Sequence, residues 1–295
     1  MTTAAPTTPT TPTTVPATPT EDRNPMTATP APATPAPAAW TGTVSVDDTT
    51  LAVTDTGGSG PTVVYLNGSY ADQSHWRRVT GELGGGFRHI TYDERARGKS
   101  GLSGDYSFEA CLRDLDAVLT ARGVERPILV GWSYGAMLAV HWAARNPDRV
   151  LGVVSVDGAL PHSWLDEDAK VQVRKLFRRM SPLFPVARRI GLAARMSAEQ
   201  HAEINIEVNE LCAPEALDPV FDRITVPTEY VLATGGNLGG DPELMEKIRG
   251  NLAPVTARNP HIRLSAKVPS NHSKILRKDF RAVADAARGI ARKAG

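Results

Sequence analysis

The segment ILVGWSYGAMLAVHWA, residues 128–143, sets Ser133 between Gly131 and Gly135 where an apolar, β-prone run gives way to good helix formers. A serine hydroxyl is a poor nucleophile at neutral pH. It becomes a useful one when it stands clear of the backbone with a base in hydrogen-bond reach. A Gly-x-Ser-x-Gly match alone is weak, since at ordinary glycine and serine frequencies it arises in roughly one 300-residue chain in ten. Its setting carries more weight. Here it ends a buried strand and opens a helix, the context that a serine on a strained elbow requires. The bland alternative is a tight turn of small residues with an idle hydroxyl.

Seven histidines are available as a base. His75 and His89 precede or ride on elements whose geometry points elsewhere, and His141 sits two turns along the helix that Ser133 opens. His162 and His201 fall in a long helical insertion, and His261 starts a strand. His272, in KVPSNHSKIL, lies after the last strand and before the closing helix, at the same edge of the sheet as Ser133. It is the natural base.

The elements that must hold these two residues follow from hydrophobic periodicity. Residues 41–46 and 50–57 alternate apolar and polar positions, as a half-exposed antiparallel pair does. Residues 62–68, 88–93, 127–131, 149–158, 226–236 and 261–268 read as further strands, several of them continuously apolar as buried parallel strands are. Helices are expected over 74–83, over 107–123 with Ser107 as N-cap, after Ser133, and over 272–293 as one closing amphipathic helix. Repeated strand–helix alternation predicts a mostly parallel sheet covered on both faces. Residues 161–225 are too long for an ordinary crossover and are expected to form a helical cap over the carboxyl ends of the strands, where ligands bind in such sheets.

Composition sets the outer bounds. The chain has 295 residues, 41% hydrophobic and 22% charged, with a net charge of +1, values that give no global pull toward nucleic acid or an anionic membrane. Cys111 and Cys212 make no disulfide framework, zinc knuckle or redox pair. No run approaches the roughly 18 apolar residues of a membrane span. Residues 1–39 are almost wholly Thr, Pro and Ala and are expected to be disordered, with Met26 an alternative start. The lack of an apolar leader there favours a cytoplasmic protein. No metal cluster or dinucleotide fingerprint is visible, and no cofactor is expected.

From about residue 41 to residue 293 the chain resembles a capped serine hydrolase of the α/β-hydrolase superfamily. Four blocks carry the resemblance in order: VVYLNGSYADQSHW as the oxyanion loop, ITYDERARGKSG as the Asp-x-Arg-x-x-Gly-x-Ser loop, GWSYG as the elbow and SNHSKIL as the histidine loop. The resemblance implies an α/β-hydrolase fold: a mostly parallel eight-stranded sheet with helices on both faces and a helical cap after strand 6. It implies that Ser133 and His272 are catalytic and that the backbone N–H groups of Ser69 and Tyr134 form the oxyanion hole. The family usually has His-Gly where this chain has Asn67-Gly68. The acid is left open between Asp157, at the end of strand 6, and Asp241, beyond strand 7. Asp93 and Arg97 read as loop anchors or a salt bridge.

The function implied is cleavage of a carboxylic ester, thioester or lactone through an acyl-serine, acting on a small-molecule acyl substrate. Carbon–carbon bond hydrolysis, cofactor-free perhydrolysis and a non-hydrolytic binding or biosynthetic role are the alternatives. Epoxide hydrolases and haloalkane dehalogenases are disfavoured, because those relatives carry Asp at the elbow. Residues 170–195 hold eight basic side chains and no acidic one, with apolar residues between them. They read as a solvated cap face over an apolar pocket lining, or as a surface that steers an anionic acyl substrate. The oligomeric state is not readable.

Overall fold

A computed structural model of the protein describes residues 1–4, 36–163, 166–189, 193–235 and 242–294. Residues 1–35 and 36–295 group as two compact units. Of the first, only Met1–Ala4 are described, and they adopt no helix or strand, so most of the segment expected to be disordered lies outside the described residues. The second unit carries everything below.

Eight strands form one sheet: β1 (Trp40–Val46), β2 (Thr49–Asp55), β3 (Thr62–Leu66), β4 (Arg88–Tyr92), β5 (Ile128–Trp132), β6 (Gly152–Val156), β7 (Thr228–Ala233) and β8 (Ile262–Val268). Their order is β1-β2-β4-β3-β5-β6-β7-β8, with β2 antiparallel to β1 and β4 and every other pairing parallel. The outer strand β1 has one face largely open to solvent, whereas β4 and β6 are buried at every position, as strands covered on both faces must be.

The helices are α1 (Arg77–Leu83), α2 (Phe108–Ala121), α3 (Tyr134–Arg145), α4 (Glu167–Met180), α5 (Phe184–Arg189), α6 (Ala198–Leu211), α7 (Pro214–Asp222), α8 (Pro242–Gly250), α9 (Leu252–Arg258), α10 (Ile275–Lys278) and α11 (Phe280–Ala294). Alternate strand residues feed two cores. Val64, Leu66 and Leu129 join the side chains of α2, α3 and α7, whereas Val63, Tyr65, Ile128 and Val130 join those of α1, α10 and α11. Each fully buried aliphatic side chain contributes about 1.5–3 kcal/mol of transfer free energy. On α11 the buried Val283, Ala284, Ala287 and Ile290 form the stripe that seats it on the sheet.

Three features differ from the sequence reading. The closing helix is broken, because the Asp279 carboxylate accepts from the Ser270 N–H at 3.2 Å and its backbone leaves the helical region, which separates α10 from α11. Helices α8 and α9 fill the β7–β8 connection, where no helix is expected. In the insertion, Leu217, Val220 and Phe221 of α7 pack into the main core beside α3, whereas α4 and α6 pack on each other.

Candidate active site

Ser133 follows β5 directly and has φ 56° and ψ −114°, a left-handed backbone that a non-glycine residue adopts only where its surroundings impose it. The flanking glycines show what imposes it. A Cβ on Gly131 would lie 2.1 Å from the Gly135 carbonyl oxygen, and one on Gly135 would lie 2.1 Å from that of Leu66. The turn is therefore closed against itself and against the end of β3, and only hydrogen fits at either position. This packing brings Tyr134, the first residue of α3, beside the loop that carries Ser69.

The serine Oγ lies 3.0 Å from His272 Nε2, and His272 Nδ1 lies 2.8 Å from Asp157 Oδ2. An ionised carboxylate only accepts, so Nδ1 bears the hydrogen and Nε2 is left to accept from the serine hydroxyl. Asp157 ends β6 with φ 46°, and its N–H donates to Val231 O at 2.9 Å. All of its acceptor sites are used: Oδ1 takes the Ala233 N–H at 3.1 Å and Arg249 Nε at 2.9 Å, and Oδ2 takes His272 and Arg249 Nη2 at 2.8 Å. Burial pushes this carboxyl up, but the hydrogen bonds from His272 and Arg249 outweigh burial and hold it below the usual carboxylate range. The Trp132 ring lies 5.4 Å from the His272 ring, tilted against it.

A family model for the alpha/beta hydrolase fold matches residues 61–202, on a chain whose sheet order and serine elbow are those just described. The chain has the α/β-hydrolase fold. The haloalkane dehalogenase of Mesorhizobium japonicum is 34% identical over 139 residues, which cover 46% of this chain and 45% of that protein. The aligned stretch thus spans under half of that relative's length. Among solved structures, an esterase from Thermogutta terrifontis superposes with a TM-score of 0.65 at 21% identity, over 87% of this chain and 99% of the other. The enol-lactonase from Burkholderia xenovorans LB400 superposes with a TM-score of 0.65 at 22% identity, over 84% and 100%. At these identities the likeness establishes the α/β-hydrolase fold.

In this fold the loop after β3 is anchored through Asn67, which is fully buried. Its backbone N–H and side-chain Nδ2 each donate to Glu94 at 2.8 Å, Nδ2 also donates to Tyr92 O at 2.7 Å, and its Oδ1 accepts from Trp76 Nε1 at 2.7 Å. Asn67 thereby replaces the family's histidine with a residue satisfied on every side. Arg97 Nε donates to the Ser69 carbonyl at 2.9 Å, leaving the Ser69 N–H unspent; neither it nor the Tyr134 N–H has an acceptor among the described residues. Asp93 accepts from the Gln73 and Lys99 N–H groups, both at 2.8 Å, so Asp93 and Arg97 anchor loops separately and form no ion pair.

The insertion reaches the same loop. Asn205 Nδ2 on α6 donates to Tyr70 Oη at 3.0 Å, and the Tyr70 ring lies 5.5 Å from that of His201. Two of the basic residues expected to form a charged face are paired instead: Lys170 with Glu167 and Glu210, and Arg174 with Glu203. Ile190 and Leu192 of that segment lie outside the described residues, as does the alternative acid Asp241. Sequence reasoning missed Arg249 and Glu94. Arg249 rides on the unexpected α8, and Glu94 is one variable position in a loop motif, so neither has a local signal.

Proposed function

We propose that Ser133, His272 and Asp157 act as a nucleophile–base–acid triad, and that the protein hydrolyses a carboxylic ester, thioester or lactone through an acyl-serine intermediate. The supporting observation is the unbroken hydrogen-bond chain from Ser133 Oγ through His272 to Asp157. In this reading His272 Nε2 takes the serine proton as Oγ attacks the acyl carbon, then gives it to the leaving oxygen or sulfur. Asp157 holds the imidazole in the required tautomer and stabilises the imidazolium. The Ser69 and Tyr134 N–H groups take the oxyanion, each such donor being worth about 10²–10³ in turnover. Water activated by the same histidine then releases the acid. Helices α4–α6 serve as the cap, tied to the oxyanion loop through Asn205 and Tyr70.

The haloalkane dehalogenase among the sequence relatives suggests a different substrate, and the elbow argues against it. A serine that displaced halide from a saturated carbon would form an ether, which has no carbonyl for water to attack. A carboxylate nucleophile forms an ester that water can open. Ser133 therefore favours acyl transfer over alkyl transfer.

Intact mass after incubation with a fluorophosphonate, on wild type and Ser133→Ala in parallel, tests the reading. One phosphonyl adduct on wild type alone is expected, followed by turnover in a panel of esters, thioesters and lactones. A wild-type protein that takes no adduct overturns it.

A further inference from the structure

Arg249 has no part in the triad just proposed, yet it grips the triad's acid. Its guanidinium forks onto Asp157, with Nε on Oδ1 at 2.9 Å and Nη2 on Oδ2 at 2.8 Å, and its Nη1 donates to Gly235 O at 2.9 Å. The Asp157 side chain is 1% exposed and that of Arg249 7%. A guanidinium and an imidazole thus share one carboxylate oxygen, Oδ2.

A carboxylate that already accepts from His272 and from the Ala233 N–H does not need a buried cation to be satisfied, and burying one costs several kcal/mol before pairing. The consequence lies in the imidazole. Asp157 alone would favour the charged, protonated ring; a permanent positive charge on the same carboxylate opposes that. Resting on the triad reading above, we propose that Arg249 is a positioning residue that holds Asp157 in a fixed fork and shares its charge, so that Asp157 stabilises a His272 imidazolium less than an unshared aspartate would. The restraint has a cost, because the same cation weakens stabilisation of the imidazolium in the transition state.

Among the described residues, Arg77, Arg78 and Arg277 line a cavity with Trp132 and Ser273, the residue after His272. Lys267 of β8 and Glu246 of α8 line a cavity of about 230 Å³ with Arg249, opposite in sign to one another. His75 stacks on Trp132, with ring centroids 6.0 Å apart. Arg249 itself lines the cavity of Lys267 and Glu246.

The test is the rate of Ser133 phosphonylation by a fluorophosphonate as a function of pH, from about 5 to 9 across the imidazole range, on wild type, Arg249→Gln, Arg249→Lys and Arg249→Ala. Removing the charge in Arg249→Gln should move the acid limb upward by about one pH unit. Low, non-denaturing guanidinium should return the limb of Arg249→Ala toward the wild-type position. Arg249→Lys keeps the charge and loses the fork, so its plateau falls severalfold while its limb stays. A purely structural role would lower the plateau without moving the limb. A limb in folded Arg249→Gln that coincides with wild type overturns the inference, and should Arg249→Gln not fold, a shifted limb in Arg249→Lys does so. An unreactive wild-type serine instead overturns the triad reading, and this inference with it.

Discussion

Asn67 gives its backbone N–H to one oxygen of Glu94 and its side-chain amide to the other, both at 2.8 Å. Glu94 is 1% exposed, and burial pushes its carboxyl up to about 7 against the pull of Arg97 and these two hydrogen bonds. Because the folded value lies above the unfolded one, the native state keeps the proton longer. Folding stability therefore falls as pH rises from about 4.5 to about 7, by at most about 3 kcal/mol, and is level above. His141 works in the opposite sense: burial pushes its imidazole down to about 4, so its contribution is lost as pH falls from about 6.5 to about 4. Denaturant melts of wild type and Glu94→Gln across this range separate the two. The difference between them should grow in favour of the variant with rising pH, and a pH-independent difference would refute the assignment.

Asn67→Ala should be among the most damaging single changes outside the proposed triad. It strands the Trp76 indole N–H and leaves Glu94 with no side-chain donor in a fully buried site, at a cost of about 3–5 kcal/mol. Urea denaturation measures this directly. Loss of under about 1 kcal/mol would mean that the loop re-anchors through Arg97 and Ser69.

Asp157→Asn should lower turnover by about 10⁴ while the protein stays folded, since the amide can hold the ring in the wrong tautomer. Asp241→Asn should leave turnover unchanged. Equal steady-state kcat/KM for wild type and Asp157→Asn would remove Asp157 from the triad.

Gly135→Ala and Gly81→Ala should diverge. A Cβ at Gly135 would meet the Leu66 carbonyl at 2.1 Å, whereas one at Gly81, within α1, meets nothing within 4 Å. Thermal melts should show Gly135→Ala destabilised by several kcal/mol and unable to take a phosphonyl adduct. Gly81→Ala should gain about 0.5–1 kcal/mol. A tolerated Gly135→Ala would mean that the elbow can open away from β3.

The contrast between Ser133 and Arg249 marks what a chain discloses before it is folded. Ser133 announces itself because its setting is local: a strand, two glycines and a helix within sixteen residues, 128–143. His272 follows from the order of strands. Asp157 and Asp241 could not be told apart, because the pairing joins the loop after β6 to the loop after β8, and neither loop carries a trace of the other. Helix α8 escaped notice because it buries only Ile248 and Arg249, too few positions to write a 3.6-residue period. The basic segment of α4 read as a solvated face without acidic partners until α6 supplied Glu203 and Glu210 for Arg174 and Lys170. The closing helix looked continuous because Asp279 is an unremarkable residue until its carboxylate meets Ser270.

Ser133 and Asp157 directly follow β5 and β6, in the middle of the sheet, but His272 follows β8, an edge strand that pairs with β7 and whose register shifts opposite Tyr230 and Val231 of β7. Five of the seven β8 residues are partly or fully exposed. The edge of a sheet frays at a lower free energy than its centre. On warming, His272 should be withdrawn while Ser133 and Asp157 remain seated, so inactivation should precede melting and, below the melting point, reverse on cooling.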